Sequence, residues 1–238
     1  RDAVGLDYLQ IGSLLAVPML VSNLLEPVIA LGADVWERRR IVILGGVAMS
    51  LSVALLVMAG SFPLVMLAFL VMYPASGAFV TISEASLMDS APEQRVRNMA
   101  WWTLSGSLGA FLGPLTVSLA AWLGLGWRPL FAVFAGAVAL LTLSYTLVPN
   151  TVSPPAYGRM GEALRGSLAA LKRRSVLRWL LLLQFSDLIL DVLFGFLALY
   201  FVDVVGVEPG LAAVAVALWT GVGLLGDYLI IFLLERVQ

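Results

Sequence analysis

The stretch from Arg178 to Val202 reads RWLLLLQFSDLILDVLFGFLALYFV. As an α-helix rising about 1.5 Å per residue, it is long enough to cross a bilayer core of about 30 Å. Near its middle stand two carboxylates, Asp187 and Asp191. An isolated charge there costs at least about 2.5–3.5 kcal/mol. The two acids are four residues apart and Gln184 lies one turn earlier, so all three share one helix face. Such a face must look into protein or a water-filled cavity rather than at lipid. No Lys, Arg or His lies in the interior of any apolar span to pair with these acids. That favours a cavity-lining role over simple structural pairing with a neighbouring helix.

The rest of the chain is of the same kind. Of its 238 residues, 61% are hydrophobic and 12% charged, against about 25% charged in a soluble domain. The sequence therefore predicts an all-α fold, a polytopic transmembrane helix bundle. The formal net charge of −1 identifies no partner, and no nucleic acid is expected. The lack of Cys excludes disulfides, thiolate metal sites and cysteine nucleophiles. The lack of His removes haem-type ligation and Ser-His catalysis. The only lysine, Lys172, falls in a polar loop, which removes an intramembrane Schiff base. No enzyme activity, cofactor or metal is expected. The chain opens Arg1-Asp2 and soon reaches a long span, without the n-region of a cleavable signal peptide.

Seven spans are predicted, over about 8–31, 41–59, 62–83, 99–123, 127–148, 177–202 and 209–234. Basic residues cluster on one side: Arg38 to Arg40, Arg95 and Arg97, Arg159 to Arg178, and Arg236. The opposite side holds only Arg1 and Arg128. The positive-inside rule makes the basic loops cytoplasmic, in a cell (inner) membrane. Residues 1–148 hold five spans and residues 177–238 hold two. Between them, 149–176 opens with a breaker-rich run, Asn150 to Pro155. There Met160, Leu164, Leu168 and Leu171 then recur on one face, which predicts an amphipathic surface helix.

Other polar groups interrupt the apolar spans. Glu26 lies eight residues before Asp34, and Asp227 eight before Glu235, each roughly 12 Å from the basic end of its span. Both acids suit a substrate or proton site, and their matching depth suits parallel repeats. Pro18 and Pro27 imply bending of the first span. Ser105, Gly109 and Gly113, followed by Pro114, form a small-residue stripe expected to admit another helix closely.

Residues 26–40, EPVIALGADVWERRR, resemble the signature loop of the major facilitator superfamily, G-x-x-x-D-R-x-G-R-R. Asp34 matches the signature Asp, and Arg38 and Arg39 match the Arg pair. Ala30, Val35 and Glu37 depart from it. Gly109 to Pro114 resembles the G-x-x-x-G-P motif of helix 5, with Val117-Ser118 in place of its trailing Gly pair. Asp89 to Arg95 resembles the acidic-to-Arg loop between helices 4 and 5. Gly77 fits the helix 4 motif, while Tyr73 stands where many members carry Arg.

The resemblance implies an incomplete bundle corresponding to helices 2 to 8 of a twelve-helix fold. It implies a cytoplasmic gate at Asp34, Arg38, Arg39, Asp89 and Arg95. It places Tyr73, Gln184, Asp187 and Asp191 at the central cavity; Glu26 and Asp227, from their depth, are second-rank site residues. The function it implies is secondary active transport of a small molecule by alternating access. Proton coupling and efflux of a hydrophobic or amphipathic compound are expected, with the substrate, protons and the lipid bilayer as partners. The alternative is a non-transporting receptor or assembly subunit built on the same bundle. An aspartyl-type enzyme would need two carboxylates sharing one site, which a single helix does not supply.

Overall fold

The computed structural model describes residues 5–147 and 160–237, without the side chains at 187, 189, 191, 194, 195, 230, 231 and 234–237. The breaker-rich run from Asn150 to Pro155 lies outside these residues. The described chain is helical and contains no strand. Its helices are α1 (Tyr8–Val35), α2 (Arg38–Met58), α3 (Phe62–Ser90), α4 (Arg95–Trp122), α5 (Trp127–Leu147), α6 (Met160–Leu171), α7 (Arg174–Tyr200) and α8 (Pro209–Val237). Among the described residues, six helices are long and apolar enough to cross a membrane: α1 to α5 and the first part of α8. The predicted span at 177–202 coincides with α7.

Local sequence accounts for the helix ends. Asp7 caps α1 reciprocally: its carboxylate accepts the Gln10 amide at 2.7 Å, and the Gln10 side chain accepts the Asp7 amide at 3.1 Å. Pro63 sits in the first turn of α3, where its missing N–H costs nothing. Gly124 ends α4 at φ 68°, where Leu125 N–H bonds the Ala120 carbonyl and Gly124 N–H the Ala121 carbonyl. This double closure favours a residue without a Cβ. The Arg38–Arg40 run, expected in a loop, instead forms the first turn of α2, because only Trp36 and Glu37 separate α1 from α2.

The chain forms two compact units, interleaved in sequence. The first comprises Arg1–Ala91 and Phe131–Gly166. In it α3 packs against both α1 and α2. Ala33, Val42 and Ile82 form a buried cluster, with Ile29, Ile41, Phe79 and Tyr145 packed around it. Two adjacent glycines on α2 make the close approach possible. A Cβ at Gly45 would lie 2.8 Å from the Phe79 backbone nitrogen and 3.0 Å from the Ala75 oxygen. One at Gly46 would strike the Thr142 hydroxyl and the Phe79 ring. Where α3 meets Gly45 it widens into a π turn, Gly77–Thr81, three residues after Pro74. Pro74 removes the donor for one carbonyl of the preceding turn.

The second unit comprises Pro92–Leu130 and Ser167–Gln238. Its centre is the antiparallel pair α4 and α8. The Ser118 hydroxyl donates to the Gly210 carbonyl at 3.0 Å, Phe111 lies against Gly221, and Ser107 donates to Asp227. The packing face of α4 is thus Ser107, Phe111 and Ser118. Gly109 and Gly113 lie off this face: among the described residues no atom lies within 4 Å of a Cβ built at either. The small residues that admit a neighbour are Gly210 and Gly221 on α8, which receive the bulk of Trp122 and Phe111. Pro114 lies within α4.

Candidate functional site

Within the first unit, α1, α2, α3 and α5 border an open cleft of about 480 Å³. Most of its wall is apolar: Met49, Met72, Val80, Phe131 and Phe134. Tyr73, Ser76 and Thr81 add hydroxyls, and Glu26 adds the one carboxylate. Glu26 is half-buried. Ser22, one turn earlier on α1, donates its hydroxyl to Oε1 at 2.8 Å. On the other side the carboxylate rests over Gly77 at the start of the π turn, where a Cβ would lie 2.9 Å from Oε1. Among the described residues, no Lys or Arg pairs with it. Two predicted site residues, Glu26 and Tyr73, are therefore brought to one cleft.

At one end of the same unit, three helix termini meet through charge. Asp34 lies in the last turn of α1, Asp89 in the last turn of α3, and Arg38 opens α2. Each charge opposes the macrodipole of its own helix, since acids suit N-termini and bases suit C-termini. Their mutual pairing offsets this. Arg38 donates one guanidinium nitrogen to Asp89 at 2.6 Å and the other to Asp34 at 3.3 Å. The Arg38 side chain is only 14% exposed, so the fork is partly withdrawn from water. Arg39 does not join this cluster. It donates to the Tyr145 and Thr146 carbonyls at 3.3 and 2.7 Å, and stands 5.8 Å from the Tyr145 ring centroid. A cation on the last carbonyls of α5 is favourably placed. Arg95 opens α4, in the second unit.

The remaining site residues also belong to the second unit. Gln184 is exposed on α7; Asp187 and Asp191 follow it on that helix, their side chains outside the described set. Asp227 is half-buried on α8 and accepts the Ser107 hydroxyl of α4.

The family model of the Major Facilitator Superfamily matches residues 1–238. The chain belongs to the Major Facilitator Superfamily. Neither the curated proteins nor the solved structures yield a match. Membership makes this a multi-pass membrane protein and a secondary transporter, whose partners are a small-molecule substrate and the bilayer. Within this superfamily chain, Arg38 joins Asp34 to Asp89, whereas Arg39 serves another helix end. Sequence reading missed Met49, Met72, Phe131 and Phe134, because apolar residues in a span carry no signal of which face borders a cleft. It also missed Ser22 and Ser107, the hydroxyl partners of the two lone acids. Ser22 stands one turn before an intramembrane carboxylate, which the sequence could have signalled; Ser107 lies 120 positions from Asp227, which it could not.

Proposed function

We propose that the protein exports a hydrophobic or amphipathic compound by alternating access, driven by protons. The observation that carries the reading is Glu26: a carboxylate without a cationic partner among the described residues, set in a mostly apolar cleft between helices. A carboxylate of that kind inside a membrane span is by default a proton or cation site. Proton occupancy can thereby bias an inward–outward equilibrium. Asp187 and Asp191 are assigned as the coupled proton pair. Gln184 and Tyr73 join the substrate path, and Asp227 is a second-rank proton site. Asp34, Arg38, Asp89, Arg39 and Arg95 act at the cytoplasmic gate. By membrane topology residues 1–148 supply the spans of an N-terminal set, 149–176 a central cytoplasmic loop and 177–238 the start of a C-terminal set, although α4 of the first set packs on α8 of the second. The basic helix ends face the cytoplasm across the inner membrane.

The test is reconstitution of the full chain into vesicles holding a hydrophobic fluorescent dye, followed by an imposed pH gradient. Gradient-driven dye movement is expected for the natural chain, and its loss for Asp187→Asn and for Asp191→Asn. Unchanged pH dependence in both variants would remove the coupling assignment. No gradient-driven movement in the natural chain would remove the transport reading.

A further inference from the structure

We infer that the α1–α3–α5 cleft selects a lipophilic organic cation over a neutral compound of the same shape, with Glu26 as the recognising group. The inference deepens the export reading and depends on it only for the step from binding to movement. Charge complementarity is the first argument. Glu26 is the single carboxylate in the wall, and the only other titratable lining group is the Tyr73 phenol. A carboxylate without a cationic partner among the described residues attracts a cationic occupant and not a neutral one. The second argument is positional. The Ser22 hydroxyl donates to the carboxylate and positions it before any ligand arrives. A fixed group loses less entropy on binding than a free one.

The rest of the wall supports the same occupant. Tyr73, Phe131 and Phe134 supply aromatic rings, which attract cations through their faces. Met49 and Met72 supply flexible, polarisable thioethers that adapt to varied apolar shapes. At about 480 Å³ the cleft falls within the range of about 300–1,000 Å³ typical of drug-sized ligands.

The experiment compares two nearly isosteric probes, methyltriphenylphosphonium and neutral triphenylphosphine oxide, by equilibrium dialysis against the full chain in detergent. The cation is expected to bind about tenfold more tightly or better. Glu26→Gln is expected to bring the ratio of the two affinities close to one, and Glu26→Asp to preserve it. Phe134→Leu is expected to weaken the cation more than the oxide. Equal binding of the two probes by the natural chain overturns the inference and points to a purely apolar occupant, such as an acyl chain or a further helix. So does an undiminished ratio in Glu26→Gln. If Glu26→Gln binds neither probe, Phe134→Leu decides, and equal weakening of both probes overturns it. Charge-selective binding without gradient-driven movement would remove the export reading and leave this assignment standing.

Discussion

A methyl group added at Gly45 and one added at Gly77 meet different neighbours. At Gly45 it meets the backbone of α3, between Ala75 and Phe79, which cannot step aside. Overpacking of that kind costs about 1–3 kcal/mol, so Gly45→Ala should lower the midpoint of thermal unfolding in detergent. At Gly77 it meets the far end of the Glu26 side chain, which can rotate. Gly77→Ala should leave the unfolding midpoint nearly unchanged and still weaken methyltriphenylphosphonium binding, because the carboxylate is displaced. Among the described residues Gly109→Ala meets nothing within 4 Å, and it should not destabilise; Ala is better than Gly in a helix by about 0.8–1.0 kcal/mol. The contrast shows what was legible. Small residues spaced by four announce that some face is flat, yet they do not say whether a neighbour uses it. The adjacent pair Gly45-Gly46 carried the better signal. The fork at Arg38 was not legible in the sequence, because its second acid, Asp89, lies 51 positions away; a forked cation serves two acids at once. Arg38→Lys should therefore lose the link to one of them. A double-mutant cycle between Arg38 and Asp89, read by thermal unfolding, should give a coupling of about 0.5–3 kcal/mol.

At the scale of single elements, α6 was foreseen from Met160, Leu164, Leu168 and Leu171, and the helix spans Met160–Leu171. All four side chains are exposed, while Ala163 is buried. An exposed apolar face on a short helix suits the headgroup–acyl boundary. Leu168→Trp, in the full chain reconstituted with brominated lipid, should show quenched fluorescence. Unquenched emission would place that face in water or against protein. The π turn of α3 was not legible. Pro74 announced a disturbed helix, but a proline is equally compatible with a simple kink. The form of the disturbance accompanies contacts from elsewhere: Gly45 of α2 beneath Ala75 and Phe79, and Glu26 of α1 over Gly77. Those partners are distant in sequence, so the local pattern is silent about them.

Across the whole molecule, composition and apolar run length were enough to give the class of fold, because the bilayer permits few structures that satisfy their own backbone. The interleaving of the two units was beyond such reading, since length and hydropathy say nothing about which helices share a neighbour. Sidedness remains open to a direct test, helped by the lack of any native Cys. Single cysteines at the exposed Arg40 and Arg97 should react with a membrane-impermeant thiol reagent from the cytoplasmic face only. Cysteines at the exposed Ser61 and Leu125 should react from the opposite face only. The π turn also bears on how this chain is compared with its relatives. A turn closed from i to i+5 holds one residue more than the α turn it replaces. A relative with an uninterrupted α3 will be one residue shorter between 77 and 81. If the two are aligned without a gap there, every later position of that helix is misassigned, and Asp89 is matched to a residue facing about 100° away from it.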